Sequence, residues 1–446
     1  MATIPSDVDT TSQPPLAIPL RQFVVALGFL LAGAAVGVVD ALWAVPGLAR
    51  LAHLHLLLVG FVCLTIAGAM TQFVPVWSGT ALHSRGLARA QLWLVASGLV
   101  GFVAALLTNR LVGLPLFGGL VLAGFWTFAY NVGRTLATAR PLDVTERHFA
   151  AALAFFVALT ALGLTLAVDF VTPVFGGAVG RSGVVAAHAT LALFGAVLTT
   201  VFGALYQLVP MFGQTELDSL DRRLQRVETV VYPAGVVVLA VGRLLANVPL
   251  ARLGAACLLA GVFAFLVVLG RRLHDARAEW TPMLVRYVLL APAALCWALL
   301  TLPAWLRDPL ATDATFGAPG TAHLLGLVFL FVLVGTLYHV VPFLVWVHRY
   351  SDRLGFEAVP MIDDLYDDRL ETADLVLVAG GGTLLVAGEW AGHALAATAG
   401  GVALALGLAV FSVNVALVVW RHAPESLRRG GMVAADADSA DPTIDD

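Results

Sequence analysis

Apolar residues run almost unbroken along this chain, in long stretches separated by short polar segments that carry Arg, Pro, Gly or acidic residues. A hydrocarbon core of about 30 Å takes about 20 apolar residues of helix. Twelve stretches reach that length, at approximately 22–44, 52–77, 89–108, 112–134, 149–170, 184–211, 229–247, 250–270, 284–305, 319–347, 373–391 and 395–420. The pattern predicts an all-α polytopic membrane protein with twelve transmembrane helices. The seam between the seventh and eighth is the narrowest, because Asn247, Pro249 and Arg252 leave only a very short turn.

Composition agrees with that pattern and charge orients it. Of 446 residues 60% are hydrophobic and 12% charged, with a mean hydropathy of +0.90, whereas a soluble domain carries roughly a quarter charged residues. The 25 basic and 29 acidic residues leave a net charge of −4 and no large basic patch, which excludes a nucleic-acid partner. Every basic residue is Arg. When successive loops are assigned to alternate sides, 19 Arg fall on one side and six (Arg50, Arg110, Arg181, Arg243, Arg252 and Arg307) on the other. Cytoplasmic loops are the ones enriched in positive charge, so both termini are expected in the cytoplasm, in the plasma membrane of a prokaryotic cell. The stretch 1–20 reads as a polar tail without the basic n-region of a secretory signal, 21–423 as the membrane domain, and 424–446 as a disordered acidic tail. Cys63, Cys257 and Cys296 all lie in apolar helices and read as packing residues.

Three of the helices carry the same text. The second begins His53-Leu-His55 and ends Gly68 to Pro75; the sixth begins at His188 and ends Gly203 to Pro210; the tenth begins at His323 and ends Gly335 to Pro342. His53 to His188 and His188 to His323 are each 135 residues. The unit is therefore four helices repeated three times, approximately 21–140, 141–275 and 276–423, with pseudo-threefold symmetry. A twelve-helix secondary transporter of the major facilitator type shows two halves of six instead. The shared glycines read as close-packing positions and the Val-Pro pairs as helix stops.

The histidines are the candidate chemistry. Five of the eleven fall inside the expected spans: His53, His55, His188, His323 and His339. Ionisable groups inside a bilayer are costly and point to function by default. Counted from the shared proline, His53 and His188 lie at −22, His55 at −20 and His323 at −19. At about 100° and 1.5 Å per residue, positions −22 and −19 differ by about 60° and 4.5 Å, so His53, His188 and His323 can reach a common interior near the non-cytoplasmic side. His53 and His55 are about 200° apart on their helix and cannot serve one centre together. His339 takes the place of Gln72 and Gln207 and reads as a polar cap. No carboxylate is expected mid-membrane, and Asp40, Asp169 and Glu389 read as interfacial.

With these features the chain resembles subunit I of the haem-copper oxidase superfamily, cytochrome c oxidase and nitric oxide reductase among them, over nearly its whole length. The resemblance implies a low-spin, b-type, bis-histidine haem held by His53 or His55 with His323, and His188 near a second metal, copper or non-haem iron. It also implies an electron donor or partner membrane subunits and, if the chain is an enzyme, an oxidoreductase. The tenth helix departs from the family's pattern: it has Thr321 and Ala322 before a single His323 where a His-x-His pair is usual. Val230-Val231-Tyr232 stands where the family has a His-His pair, and no Lys exists for a lysine proton channel. The binuclear centre is therefore expected to be incomplete. In outline the chain is also similar to NnrS, a haem- and copper-containing membrane protein of nitric oxide responses, which implies a response or sensing role without turnover. A twelve-helix carrier using the histidines for proton coupling is the reading from another class.

Overall fold

The computed structural model describes residues 14–177 and 179–423; the stretch read as an acidic tail, 424–446, lies outside the described residues, as do residues 1–13. Twelve helices are long and apolar enough to cross a membrane: α1 (Ala17–Trp43), α2 (Ala49–Ser78), α3 (Arg85–Leu107), α4 (Leu111–Thr138), α5 (Val144–Asp169), α6 (Arg181–Gly213), α7 (Ser219–Leu244), α8 (Val248–His274), α9 (Pro282–Arg307), α10 (Ala322–Arg349), α11 (Asp368–Trp390) and α12 (Ala394–His422). No strand occurs among the described residues. An even number of crossings puts the two ends of this bundle on one face, called here the terminal face; the opposite face is distal.

Helix starts follow local chemistry. Asp143 accepts from Glu146 N at 2.7 Å while Glu146 accepts from Asp143 N at 3.0 Å, a reciprocal capping box that opens α5. Asp218 and Asp221 do the same for α7. Thr281 caps α9, whose first residue is Pro282, and Asp367 caps α11. The box at Asp218 starts α7 ten residues before the apolar run, which carries Glu228 inside the helix.

Neighbours in sequence pack in order within each group of four, α4 packs on α5 and α8 on α9, and α12 returns to pack on α1. The ring is closed. The second helix of each group packs inside it: 67% of the most apolar window of α2 and of α6 and 78% of that of α10 is buried, against 22–56% in the other nine. The three helices with shared text are thus the interior ones.

Two details depart from the sequence expectation. The shared prolines do not stop their helices: α2 and α6 continue past Pro75 and Pro210 to left-handed residues Gly79 (φ +61°) and Gln214 (φ +53°), and α10 continues to Arg349. The proline carbonyls accept the hydrogen bonds that close the turn, from Thr80 N at 3.1 Å and Thr215 N at 3.0 Å. Secondly, α2 and α6 each contain a π-helical segment, Leu56–Cys63 and Leu191–Leu198, each beginning three residues after its −22 histidine. In α10 the helix is α throughout.

Candidate functional site

At the distal end, three histidines at equivalent places on α2, α6 and α10 are each held by another helix. His53 Nδ1 donates to the carbonyl oxygen of Gly33 on α1 at 2.8 Å, and His188 Nδ1 to that of Leu159 on α5 at 2.8 Å. His323 Nδ1 binds both carboxylate oxygens of Glu389 on α11 at 2.8 Å. Nε2 of none of the three makes a hydrogen bond. Room for two of the rings comes from glycines four residues beyond the acceptor carbonyls: a Cβ on Gly37 would lie 2.6 Å from His53 Cε1, and one on Gly163 would lie 2.9 Å from His188 Cε1. His55 differs, since its Nδ1 donates within α2, to Leu51 O at 2.8 Å, and its ring leans on Phe102 of α3 at 5.0 Å between centroids.

His53 lies within electrostatic range of His323 and of Asp40, and His188 lies within range of His55. Glu389 belongs to this site as the partner of His323. Asp40 accepts from Val45 N at 3.1 Å, and Asp169 pairs with Arg181, so these two are end caps. Arg243, 2% exposed, pins the α9–α10 loop over the same end. It donates to Thr190 Oγ1 at 2.8 Å and to the carbonyls of Pro309 and Thr315 at 3.1 Å, with Trp305 under its plane.

A second polar layer, nearer the terminal face, was not anticipated. In each group of four the first and third helices meet through a buried polar pair. Gln91 Nε2 donates to Gln22 Oε1 at 3.2 Å between α3 and α1. His148 Nε2 lies 3.1 Å from Glu228 Oε2 between α5 and α7. Arg286 Nη2 donates to Asp374 Oδ1 at 2.5 Å between α9 and α11. The glycines shared by α2, α6 and α10 abut these pairs, since a Cβ on Gly68, Gly203 or Gly335 would lie 3.1, 2.6 or 3.2 Å from the Cβ of Gln22, His148 or Arg286. Three residues past two of those glycines, Tyr206 stacks obliquely beside His148 and Tyr338 donates to Asp374 Oδ2.

Glu228, Asp374, His148 and Arg286 are thus buried ionisable groups inside helices; no carboxylate away from the helix ends was expected, although the expected spans already held Asp374 and Arg286 and stopped just short of Glu228 and His148. The reason is the earlier starts of α5 and α7, which bring His148 and Glu228 within their helices, and the pairing that lets Asp374 be buried. His148 Nδ1 also donates to Val144 O at 2.7 Å, so one further proton lies between Nε2 and the Glu228 carboxylate. The signal available in the sequence was the shared glycine together with Tyr206 and Tyr338 at +3. His339 packs against Phe212 of α6 with centroids 3.9 Å apart and rings tilted by 58°, stacks on Phe343, and makes no hydrogen bond among the described residues. It is therefore packed among aromatic rings where a polar cap was expected, 16 residues from His323.

No protein-family model matches the chain, and none of the curated proteins compared with it is detectably similar.

Proposed function

We propose that this multispanning membrane protein binds haem near its distal face, where His53 and His323 would hold it and His188 would hold a second metal, copper or non-haem iron. Its role would lie in redox or nitric oxide chemistry, in the manner of the oxidase subunit I superfamily. One observation carries the reading: the equivalent histidines of three interior helices are each fixed through Nδ1 by a neighbouring helix, which leaves Nε2 as a free lone pair. That is the state in which imidazole ligates a metal, its other nitrogen oriented by a carbonyl or carboxylate. Anchoring by Glu389 would make His323 the more basic ligand. The slots made by Gly37 and Gly163 fit the donor set, because each fixes a ring against rotation.

A bound haem would supply one-electron chemistry or hold a diatomic ligand. The chain's own residues would hold and orient it, and the carbonyl-bound guanidinium of Arg243 places a fixed positive charge at the same end. A carrier of two six-helix halves gains no support from the packing, since α6 packs on α7 and on α8 across the place where such halves would part. The incomplete binuclear set also fits a nitric oxide response protein that binds without turnover.

The test is a reduced-minus-oxidised spectrum of the purified chain, with a pyridine haemochrome assay and metal analysis. A Soret band that is lost or shifted in both His53→Ala and His323→Ala is expected. A preparation with no Soret band, or a spectrum indifferent to His323→Ala, overturns the reading. Oxygen and nitric oxide consumption by the haem-loaded protein separates an oxidoreductase from a sensor.

A further inference from the structure

A recess with a volume of about 460 Å³ lies on the outside of the helix bundle, between α4 and α5. It runs from Arg140 and Leu142, in the loop joining the two helices at the terminal face, up to Trp126 and Val157. Small residues on both walls, Gly133 and Ala154 among them, keep the side chains short enough to leave it open. At its inner end Trp126 Nε1 donates to Thr160 Oγ1 at 3.1 Å, so the deep wall is fixed.

Length and charge identify the occupant. Trp126 to Arg140 is 14 residues, about 21 Å if helical throughout, against a half-bilayer of hydrocarbon about 15 Å thick. The recess therefore spans one leaflet, with its cationic end at headgroup level. Arg140 is exposed and makes no ion pair among the described residues. The two acids that follow it, Asp143 and Glu146, are turned onto the start of α5 as its capping box. A basic side chain at the mouth of an apolar groove between membrane helices recognises an acidic lipid headgroup.

We propose that this groove is a binding site for one anionic glycerophospholipid, its phosphodiester at Arg140 and an acyl chain lying along Leu136, Gly133 and Ala129 against Ala150, Leu153 and Ala154. The site is independent of the distal histidines.

Native mass spectrometry of the full chain in mild detergent, with added phosphatidylglycerol or phosphatidylcholine, tests this. One retained phosphatidylglycerol is expected, favoured over phosphatidylcholine by about fivefold, the effect of one arginine near an anionic headgroup. Arg140→Gln should bring that ratio to about one, and Arg140→Lys should restore it. Gly133→Trp should abolish retention of both lipids. An added Cβ at this position meets nothing nearer than Leu153 Cδ1 at 4.0 Å, so the side chain starts into the open groove, and an unchanged helical circular dichroism spectrum checks that the variant is folded. An unchanged lipid ratio in Arg140→Gln, undiminished retention in Gly133→Trp, or a groove-dependent dimer in place of a lipid adduct would each overturn the proposal.

Discussion

A histidine in a membrane helix is informative only once the fate of both ring nitrogens is known. His53, His188 and His323 use Nδ1 against another helix and leave Nε2 unbonded, His55 uses Nδ1 within its own helix, and His148 uses both nitrogens. The first three each keep one nitrogen with no hydrogen bond among the described residues, and His148 is paired with Glu228. The slots make this testable without touching a ligand. Gly37→Ala places a methyl 2.6 Å from His53 Cε1 and 2.8 Å from Nδ1, which displaces the ring from the Gly33 carbonyl. Loss of such an anchor costs about 10- to 100-fold in metal affinity, so haem titration of Gly37→Ala should show weakening of that order with the helical circular dichroism unchanged. Gly163→Ala should act instead on the metal at His188 and leave the haem titration as in the wild type.

At the scale of the helix, two devices matter that apolar periodicity cannot reveal. The π segments of α2 and α6 each add backbone between the distal histidine and the shared glycine, and so alter the rotation between those two ends. Deleting one residue within Leu191–Leu198 should turn His188 by about 100° relative to Gly203. The expected outcome is loss of the second metal by elemental analysis, with haem at His53 and His323 retained. The other device is the buried pair between first and third helices. Arg286→Met leaves Asp374 and Glu371 without their cation; removing one partner of a buried pair costs on the order of 3–5 kcal/mol, so the midpoint of detergent unfolding should fall sharply. A double change, His148→Gln with Glu228→Gln, mimics the Gln22–Gln91 pair of the first repeat. It should unfold close to the wild type, whereas His148→Ala alone should not.

Among the described residues twelve membrane-length helices pack together, α12 returning to α1, with three of them interior and carrying their histidines at one end. Its expected orientation in the bilayer rests on arginine: assigning loops to alternate sides puts 19 of 25 on the side of the termini, so a reporter fused after residue 423 should be active in the cytoplasm and silent outside it. Much of this was legible in one dimension. Length and polarity set the number of crossings, because the bilayer admits only satisfied backbone over about 30 Å. The 135-residue spacing set the repeat, and counting at about 1.5 Å per residue set the common depth of His53, His188 and His323. The chain could not state which imidazole meets which, because spacing along a helix measures depth while partnership depends on rotation and on the neighbouring helix. Only the packed helices brought His53 within electrostatic range of His323, and His188 within range of His55. They likewise decided that Glu228 and Asp374 could be buried at all, since a carboxylate is tolerated in such a core only where a distant part of the chain delivers its counter-charge.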